Sequence, residues 1–131
     1  MLRISSPLPV ETEDLIHRVI GCAIAVHTEL GSGYSERIYS RALGLEFDAG
    51  AIPYESEKSI AIAYRGSLIA HYRIDLVVGG VLVVEVKCVD RLASVHQSQI
   101  LGYLRAARLR AGLLLNFRVG AMPDGVKRLV L

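Results

Sequence analysis

Apolar positions in the first third of the chain recur with helical spacing. Over residues 11–30 they return every three or four positions, with acidic residues in the first turn and Gly31 after the last apolar position. Residues 35–49 repeat this pattern and are also followed by a glycine. The pattern therefore predicts two helices, over 11–30 and about 35–49, after a loose N-terminal segment of residues 1–10.

The apolar period changes to two in the middle of the chain. Residues 59–64, 68–78 and 81–89 each alternate between apolar and polar positions, and glycine-containing turns separate the three segments. This pattern is typical of strands joined by short hairpins. We therefore expect three antiparallel strands here.

Helical spacing returns over residues 94–108, which predicts a third helix. Residues 112–117 form a continuous apolar run, typical of a buried strand that a crossover places parallel to its neighbour. A short last strand is predicted over 126–131. The order is ααβββαβ(β), which indicates an α/β fold (an α+β mixed sheet) in a single domain over residues 11–131.

Composition narrows the class of protein and reveals an uneven distribution of charge. The 131 residues are 52% hydrophobic, which excludes a disordered tail, and the formal net charge is +2. Residues 87–131 hold eight basic and two acidic residues, whereas residues 1–86 hold seven basic and eleven acidic ones, so the net charges are +6 and −4. A site that combines a metal ion with a phosphate would produce such a split, with the arginines of the basic half meeting the phosphate.

Cysteine content and targeting signals bear on the compartment. Cys22 and Cys88 stand far apart in apolar runs, which favours core thiols in a reducing compartment. The N-terminal sequence lacks an apolar signal core, and no apolar run is long enough to span a membrane. We therefore expect a cytoplasmic protein without membrane contact.

Charged residues interrupt the two central predicted strands. Asp75 lies in one strand, and Glu85 and Lys87 lie two positions apart on one face of the next. Charges buried among apolar residues are strongly unfavourable unless they are paired or bind a metal. The simpler alternative is a salt bridge of Lys87 with Glu85 or Asp75 on a solvated face of the sheet.

The loop between these strands decides whether the two carboxylates can meet. A two-residue loop of Gly79 and Gly80 would turn Asp75 and Glu85 to opposite faces of the sheet. A three-residue loop that also includes Val81 would place Asp75 opposite Glu85, with β-carbons about 5 Å apart. A glycine would supply the left-handed residue that such a loop needs. Both loops are compatible with the sequence, and a metal site requires the longer one.

Two carboxylates at that distance suit a hard divalent cation. Mg²⁺ or Mn²⁺ binds one or two carboxylates and keeps waters and phosphate oxygens as its other ligands. Such an ion polarises a phosphodiester and lowers the pKa of a bound water. Lys87 would activate the nucleophile or neutralise the charge that develops on the phosphoryl group.

This arrangement of acids and lysine resembles the core motif of the PD-(D/E)XK nuclease superfamily. Asp75 is followed ten residues later by Glu85-Val-Lys87, across two strands that follow N-terminal helices and precede a helix and a strand. Ile74 stands at the position of the proline that gives the superfamily its name. Many members lack that proline, so the departure leaves the match at Asp75 intact.

Two further motifs narrow the resemblance. Residues 33–39, GYSERIY, form a GxxExxY motif, as in the GxxExxY protein family. Residues 99–103, QILGY, form a QxxxY motif like that of RecB-type exonuclease domains. The resemblance covers the chain from about residue 13 to the end and implies a restriction-endonuclease-like core.

The resemblance also implies roles for the matching residues. Asp75, Glu85 and Glu36 would be metal ligands, and Lys87 would be the catalytic lysine. Gln99 would be the polar residue of its motif that lies near the metal or the DNA.

Three further residues are candidates for contact with the substrate. Tyr103 lies one helical turn after Gln99 and would contact the nucleic-acid backbone. Arg73 shares a face with Asp75 and would bind phosphate or neutralise the acids. His96 lies on the same helical face as Gln99, so it would lie near the phosphate or, alternatively, cap the helix.

Some motif residues have purely structural alternatives. Glu36 is also an ordinary first-turn acid of a helix, Tyr39 is expected to pack, and His27 is expected to be a core or capping histidine. The three arginines within residues 105–110 form either a solvated helix end or a patch that binds the nucleic-acid backbone.

The sequence therefore predicts a small nuclease that depends on Mg²⁺ or Mn²⁺ and hydrolyses DNA, or less favourably RNA. Because the chain is short for a nuclease, we expect a homodimer or a partner protein to help it grip its substrate. One alternative is a non-catalytic nucleic-acid-binding or regulatory module that retains the nuclease fold. Another is a structural subunit of an oligomer.

Overall fold

Three helices and five strands make up the part of the chain that the computed structural model describes, residues 6–131. The predicted loose segment, residues 1–10, falls partly on residues 1–5, which lie outside the described residues. The elements in chain order are α1 (Val10–Leu30), α2 (Glu36–Ala49), β1 (Tyr54–Tyr64), β2 (Ser67–Val78), β3 (Leu82–Lys87), α3 (Ser94–Ala107), β4 (Ala111–Asn116), a 3₁₀ helix (Met122–Gly125) and β5 (Val126–Val130).

The order and type of the elements confirm the predicted α/β fold with a mixed sheet. The strands lie side by side in chain order, β1-β2-β3-β4-β5. All neighbours are antiparallel except β3 and β4, which are parallel and are connected through α3. This is the crossover expected from the continuous apolar run of β4, whose six residues are all buried.

The first strand begins five residues earlier than its alternation indicated, at Tyr54 rather than Ser59. The added residues are almost all polar and exposed. They belong to an edge strand, which pairs on one side only and needs no apolar face along its whole length. Hydrophobic alternation therefore could not locate its start.

Helices cover both faces of the sheet. On one face, α1 and α2 pack against the sheet through a large cluster that contains Val19, Tyr39, Leu43 and Phe47. On the other face, α3 packs through Ile100, Tyr103 and Leu104 against strands β1 to β4. Each helix therefore buries one apolar stripe, which is what its periodicity predicts.

The residues just before α1 are attached to the core. Leu8 is buried against the cluster beneath α1, and the Pro7 carbonyl accepts a hydrogen bond of 3.1 Å from Arg110. Nearby on β5, Arg128 forms an ion pair with Glu13 of α1. The first turn of α1 is therefore held by the last strand.

Candidate active site

The loop between β2 and β3 has three residues, so the register that a metal site requires is the one the structure shows. Val78 is opposite Leu82, and the Val81 amide donates a 3.2 Å hydrogen bond to the Val78 carbonyl. Gly79 and Gly80 both have positive φ, 61° and 70°, where a side chain would be strained. This register sets Asp75 opposite Glu85.

Side chains replace the backbone ladder at this point. The ladder between β2 and β3 ends at the pair Leu76–Val84. One step further, the Asp75 amide donates to Glu85 Oε1 at 3.2 Å, and the Val86 amide donates to Asp75 Oδ2 at 2.9 Å. Each carboxylate is therefore fixed by an amide of the opposite strand. The two side chains lie between strands that have begun to separate.

Glu85 is buried among apolar side chains, with only 4% of its surface exposed. Burial, and after it repulsion by the neighbouring Asp75 carboxyl, raises its pKa to about 8. Without a cation Glu85 is thus mostly protonated at neutral pH, whereas a divalent cation would favour its ionised form.

Lys87 lies two residues after Glu85 at the end of β3, at the border of the buried region. Its Nζ donates a 3.1 Å hydrogen bond to Gln99 Oε1 on α3. Within residues 6–131 Lys87 forms no ion pair, so the alternative of a Lys87 salt bridge with Glu85 or Asp75 is wrong. The ammonium group is held beside the carboxylates by a neutral partner and keeps its charge available.

Tyr103 lies next to the acids, one turn after Gln99 on α3. It is 6% exposed, and its pKa is raised by burial first and then by Glu85 and Asp75. Its ring lies 5.6 Å from that of Tyr72, whose side chain is largely exposed on β2. Of the two predicted motif residues on α3, Gln99 thus contacts the lysine and Tyr103 lies near the carboxylates.

Glu36 begins α2 and lies on the other side of Asp75. Both residues line a cleft of about 540 Å³ between α2 and the start of β1, together with Arg37, Ser40, Arg41 and Glu57. Glu36 is also close enough to Cys88 to raise the pKa of that thiol, after the larger effect of burial. The acid of the GxxExxY motif therefore faces the same cleft as the predicted metal ligand.

The donor set fits a divalent cation held by two carboxylates. In the described part of the chain no group of three or more His, Cys, Asp or Glu side chains is close enough to hold a metal ion, so Glu36 does not form a cluster with the pair. Asp75 and Glu85 face each other with no cationic side chain bonded to either within residues 6–131. Such a pair is what Mg²⁺ or Mn²⁺ accepts from a protein when waters and phosphate oxygens complete its shell.

Two motif residues serve the fold, as expected. Tyr39 is fully buried and stacks on Phe117 with ring centroids 4.3 Å apart, and its hydroxyl donates to the Gly31 carbonyl at 2.5 Å. His27 is half-buried in the last turn of α1, and its Nε2 lies within hydrogen-bond distance, 2.9 Å, of the Val119 carbonyl. The structural alternatives are therefore confirmed for both.

Two predicted substrate contacts have partners within the protein. His96 Nδ1 accepts a 2.9 Å hydrogen bond from the Ala93 amide, which confirms the helix-capping alternative. Arg73 forms an exposed ion pair with Glu57 at 3.6 Å. Neither side chain lines the cleft that Asp75 and Glu36 share.

Sequence reasoning missed two sets of residues near the site. Arg37 and Arg41 of α2 line the cleft beside Asp75, and their spacing of four residues directly after Glu36 was the available signal. Asn116 is 2% exposed, and its amide group both accepts from and donates to the backbone of Val89, at 3.1 and 2.8 Å. It thereby fixes the loop that follows Lys87, and a polar residue at the end of an apolar strand was the only sign of it.

The basic half of the chain does not supply the cleft's arginines. Arg110 binds the Pro7 and Leu131 carbonyls, Arg118 pairs with Asp90, and Arg128 pairs with Glu13. The expectation that the arginines of residues 87–131 would meet phosphate stays a prediction, since these three have partners within the protein. Their charges stabilise loops and chain ends, because each has an anionic or carbonyl partner within reach.

The fold and the position of the acids define the class of protein. A mixed sheet flanked by helices, with paired carboxylates and a lysine where β2 and β3 separate, is the restriction-endonuclease-like arrangement. A family model described as the PD-(D/E)XK nuclease superfamily matches residues 13–129, and the chain belongs to that superfamily. No curated protein matches the chain significantly. None of the helices in residues 6–131 is both long and apolar enough to cross a membrane.

Proposed function

We propose that the protein is a nuclease that uses a divalent metal ion, Mg²⁺ or Mn²⁺, to hydrolyse phosphodiester bonds in DNA. The observation that carries this proposal is the pair of carboxylates of Asp75 and Glu85, set opposite each other with Lys87 two residues further on. Membership of a superfamily of nucleases, which generally use divalent metals, supports the same activity.

Each residue of the site has a defined task in this proposal. Asp75 and Glu85 hold the cation, which when bound polarises the scissile phosphate and acidifies an attacking water. The amides of Asp75 and Val86 keep the two carboxylates facing each other before the cation arrives. The site is therefore preorganised, and little rearrangement opposes metal binding.

Lys87 stabilises the negative charge that grows on the phosphoryl oxygens during attack. Its hydrogen bond to Gln99 fixes the ammonium group without neutralising it. A fixed group that faces the charge developing in the transition state raises the reaction rate roughly a hundredfold to a thousandfold. Gln99 is thus a positioning residue, and its loss should affect the rate less than the loss of Lys87.

The nucleic-acid backbone enters along the cleft of α2. Arg37 and Arg41 line that cleft, and two guanidinium groups one turn apart suit successive phosphates of one strand. Glu36, at the same cleft, orients water or a second cation rather than binding phosphate. Tyr103 lies on the α3 side of the acids, where it contacts the sugar–phosphate backbone.

We further infer that the chain belongs to the GxxExxY group within the superfamily, on the strength of residues 33–39. DNA is favoured over RNA because the fold resembles that of restriction endonucleases. A second copy or a partner protein would extend the short α2 cleft and lengthen the contact with the substrate.

Digestion of defined substrates tests the activity. The purified protein is incubated with linear, circular and single-stranded DNA and with RNA, each with Mg²⁺, Mn²⁺ or EDTA. We expect cleavage of DNA with either metal and none with EDTA. Lys87→Ala and Glu85→Ala should lower the rate by about a hundredfold or more, whereas Lys127→Ala, an exposed lysine on β5, should leave it unchanged.

Cleavage that survives both substitutions would come from a contaminant, and the catalytic proposal would fail. No cleavage of any substrate, combined with DNA binding that does not depend on metal, would instead support the non-catalytic binding module. Size measurement of the DNA complex shows in the same experiment whether one or two chains bind.

A further inference from the structure

Glu57 has an unusual backbone for a residue inside a strand. It lies in β1 with φ of 53°, in the left-handed region that residues with a side chain avoid. It is not in a turn, since β1 continues on both sides of it from Tyr54 to Tyr64. A strained residue in a regular element points to a local requirement of the structure around it.

The alternation of β2 reverses opposite this residue. Ile74 and Leu76 are two positions apart and would share a face in a regular strand. Instead, Ile74 packs in the cluster beneath α3, and Leu76 packs in the cluster beneath α1 and α2. Asp75 lies between them, so the strand changes faces at the metal-binding aspartate.

The alternation of β1 reverses at the same level. Tyr54 packs against the cluster beneath α1 and α2, whereas Ile60, an even number of positions further along β1, packs in the cluster beneath α3. The pairing register is the same before and after the reversal, as Ser56–Leu76 and Lys58–Ile74 show, but Glu57 and Asp75 are not paired. One residue in each strand is thus released from the ladder.

The reversal explains how Asp75 can line the α2 cleft and also contact strand β3. Its side chain lines the α2 cleft beside Glu36 and also accepts the hydrogen bond of the Val86 amide on β3. In a regular strand the side chain would stand on one face, and the Asp75 amide would remain in the ladder rather than donate to Glu85. The position of the aspartate therefore depends on the break in the pleat.

We propose that Glu57 is a positioning residue, whose left-handed backbone reverses the pleat of β1 and β2 and so places Asp75 opposite Glu85. This role depends on the backbone conformation of Glu57 and not on its carboxylate. The catalytic consequence rests on the proposed nuclease function, but the positioning of Asp75 can be measured without it.

Three variants separate backbone from side chain. Glu57→Gly removes the carboxylate and adopts positive φ freely. Glu57→Val removes the carboxylate and disfavours positive φ, because it is β-branched. Arg65→Val is the matched control, since Arg65 also has φ of 52°, in the hairpin turn that joins the same two strands.

The principal readout is hydrogen exchange of the Val86 amide in the metal-free protein, which reports the bond to Asp75 directly. The second is the affinity for Mn²⁺ alone, measured by electron paramagnetic resonance. We expect Glu57→Gly to keep the wild-type protection and affinity. Glu57→Val should lose Val86 protection and weaken Mn²⁺ binding about 10-fold to 100-fold, whereas Arg65→Val should lower the melting temperature and change neither.

Loss of Val86 protection in Glu57→Gly would overturn the proposal, because the carboxylate of Glu57 would then be the group that positions Asp75. This test does not depend on whether Glu57→Val folds. Unchanged protection in a folded Glu57→Val would overturn it as well. A wild-type protein that binds no Mn²⁺ while Val86 protection follows the expected pattern would refute the nuclease proposal and leave the positioning role supported.

Discussion

At the scale of one residue, the buried carboxyl group of Glu85 lowers the stability of the metal-free protein when it is ionised. A carboxyl group in this apolar surrounding is ionised only at a cost in stability, and its pKa of about 8 expresses that cost. Between its ordinary pKa of 4.5 and about 8, the native state keeps a proton that the unfolded state has lost. The free energy of unfolding therefore falls as pH rises through this range.

The first prediction follows from this linkage. Glu85→Gln imitates the protonated acid and should raise the melting temperature of the metal-free protein by a few degrees at pH 8.5. The gain should disappear at about pH 3, well below the ordinary pKa of 4.5, where the wild-type acid is protonated in both states. Thermal unfolding in EDTA across this pH range measures the gain, with Glu29→Gln, an exposed acid of α1, as the control. A gain that stays constant with pH would contradict the raised pKa.

A second prediction separates the two side chains of the GxxExxY motif. Tyr39→Phe removes a hydroxyl that donates to Gly31 and accepts from the Tyr34 amide. Urea unfolding should show a loss of about 1–3 kcal/mol. The rate of DNA cleavage per folded molecule should stay the same, because the hydroxyl faces the backbone before α2 rather than the cleft. A loss of rate without a loss of stability would show that Tyr39 acts in catalysis.

Residue types and spacing were sufficient to predict that the acids and the lysine lie together, because charges inside apolar strands are rare without a purpose. They were insufficient for the partners of those residues. Sequence could not show that Lys87 bonds Gln99 rather than Asp75, since that choice depends on how α3 lies across the sheet. It also could not show that the Asn116 side chain forms hydrogen bonds with the backbone of Val89, two residues after Lys87.

At the scale of the element, the helix α2 changes the view of how substrate binds. The arginines of the cleft lie in the acidic half of the chain, one turn apart and directly after Glu36. A helix that carries an acid at its start and arginines along the same cleft combines a site for water or metal with contacts to phosphate. This combination supports the proposed path of the nucleic acid along α2 rather than along the end of α3.

A third prediction tests this direction of approach. Arg41→Ala should raise KM for DNA several-fold with little change in kcat, and should reduce the slope of log affinity against log salt by about one. Arg105→Ala, an exposed arginine on α3, is the matched control and should leave both quantities unchanged. If the effects were reversed between these two variants, the nucleic acid would lie along α3.

The spacing of apolar residues predicted each helix or strand that buries an apolar face. The helices and the buried strands were predicted close to their observed bounds for that reason. The edge strand β1 started earlier than predicted because its first residues are polar. The reversal of the pleat at Glu57 and Asp75 left no sign in the sequence, since both residues are polar and a regular strand would tolerate them.

At the scale of the whole molecule, the uneven charge has a structural origin. Arg110, Arg118 and Arg128 bind carbonyls or acids that lie far from them in the sequence. The basic half therefore holds the chain ends and the loops after β3 and β4. The net charge of each half follows from these contacts as well as from the site, so the split alone could not locate the phosphate-binding residues.

A fourth prediction concerns the ion pair between the first helix and the last strand. Hydrogen bonds from Arg128 and then Ser6 lower the pKa of Glu13 to about 2. The native state thus binds fewer protons than the unfolded state between about 4.5 and about 2, and stability falls as pH drops through this range. Glu13→Gln should lower the melting temperature at pH 7 and should show a smaller further loss between pH 5 and pH 2.5 than wild type does.

Calorimetric scans at pH 7, pH 5 and pH 2.5 check this, and Glu55→Gln, which removes an exposed pair with Lys58 three residues away, is the control. An equal loss for wild type and Glu13→Gln on acidification would mean that Glu13 is not linked to folding.

The central claim is that Asp75 and Glu85 together hold a divalent cation beside Lys87. A crystal structure of the protein soaked in Mn²⁺, with anomalous scattering recorded for the metal, tests it most directly. We predict one strong anomalous peak between the carboxylates of Asp75 and Glu85 in the wild-type protein and no such peak in Asp75→Asn. A wild-type crystal with both carboxylates in place and no manganese between them would contradict the account.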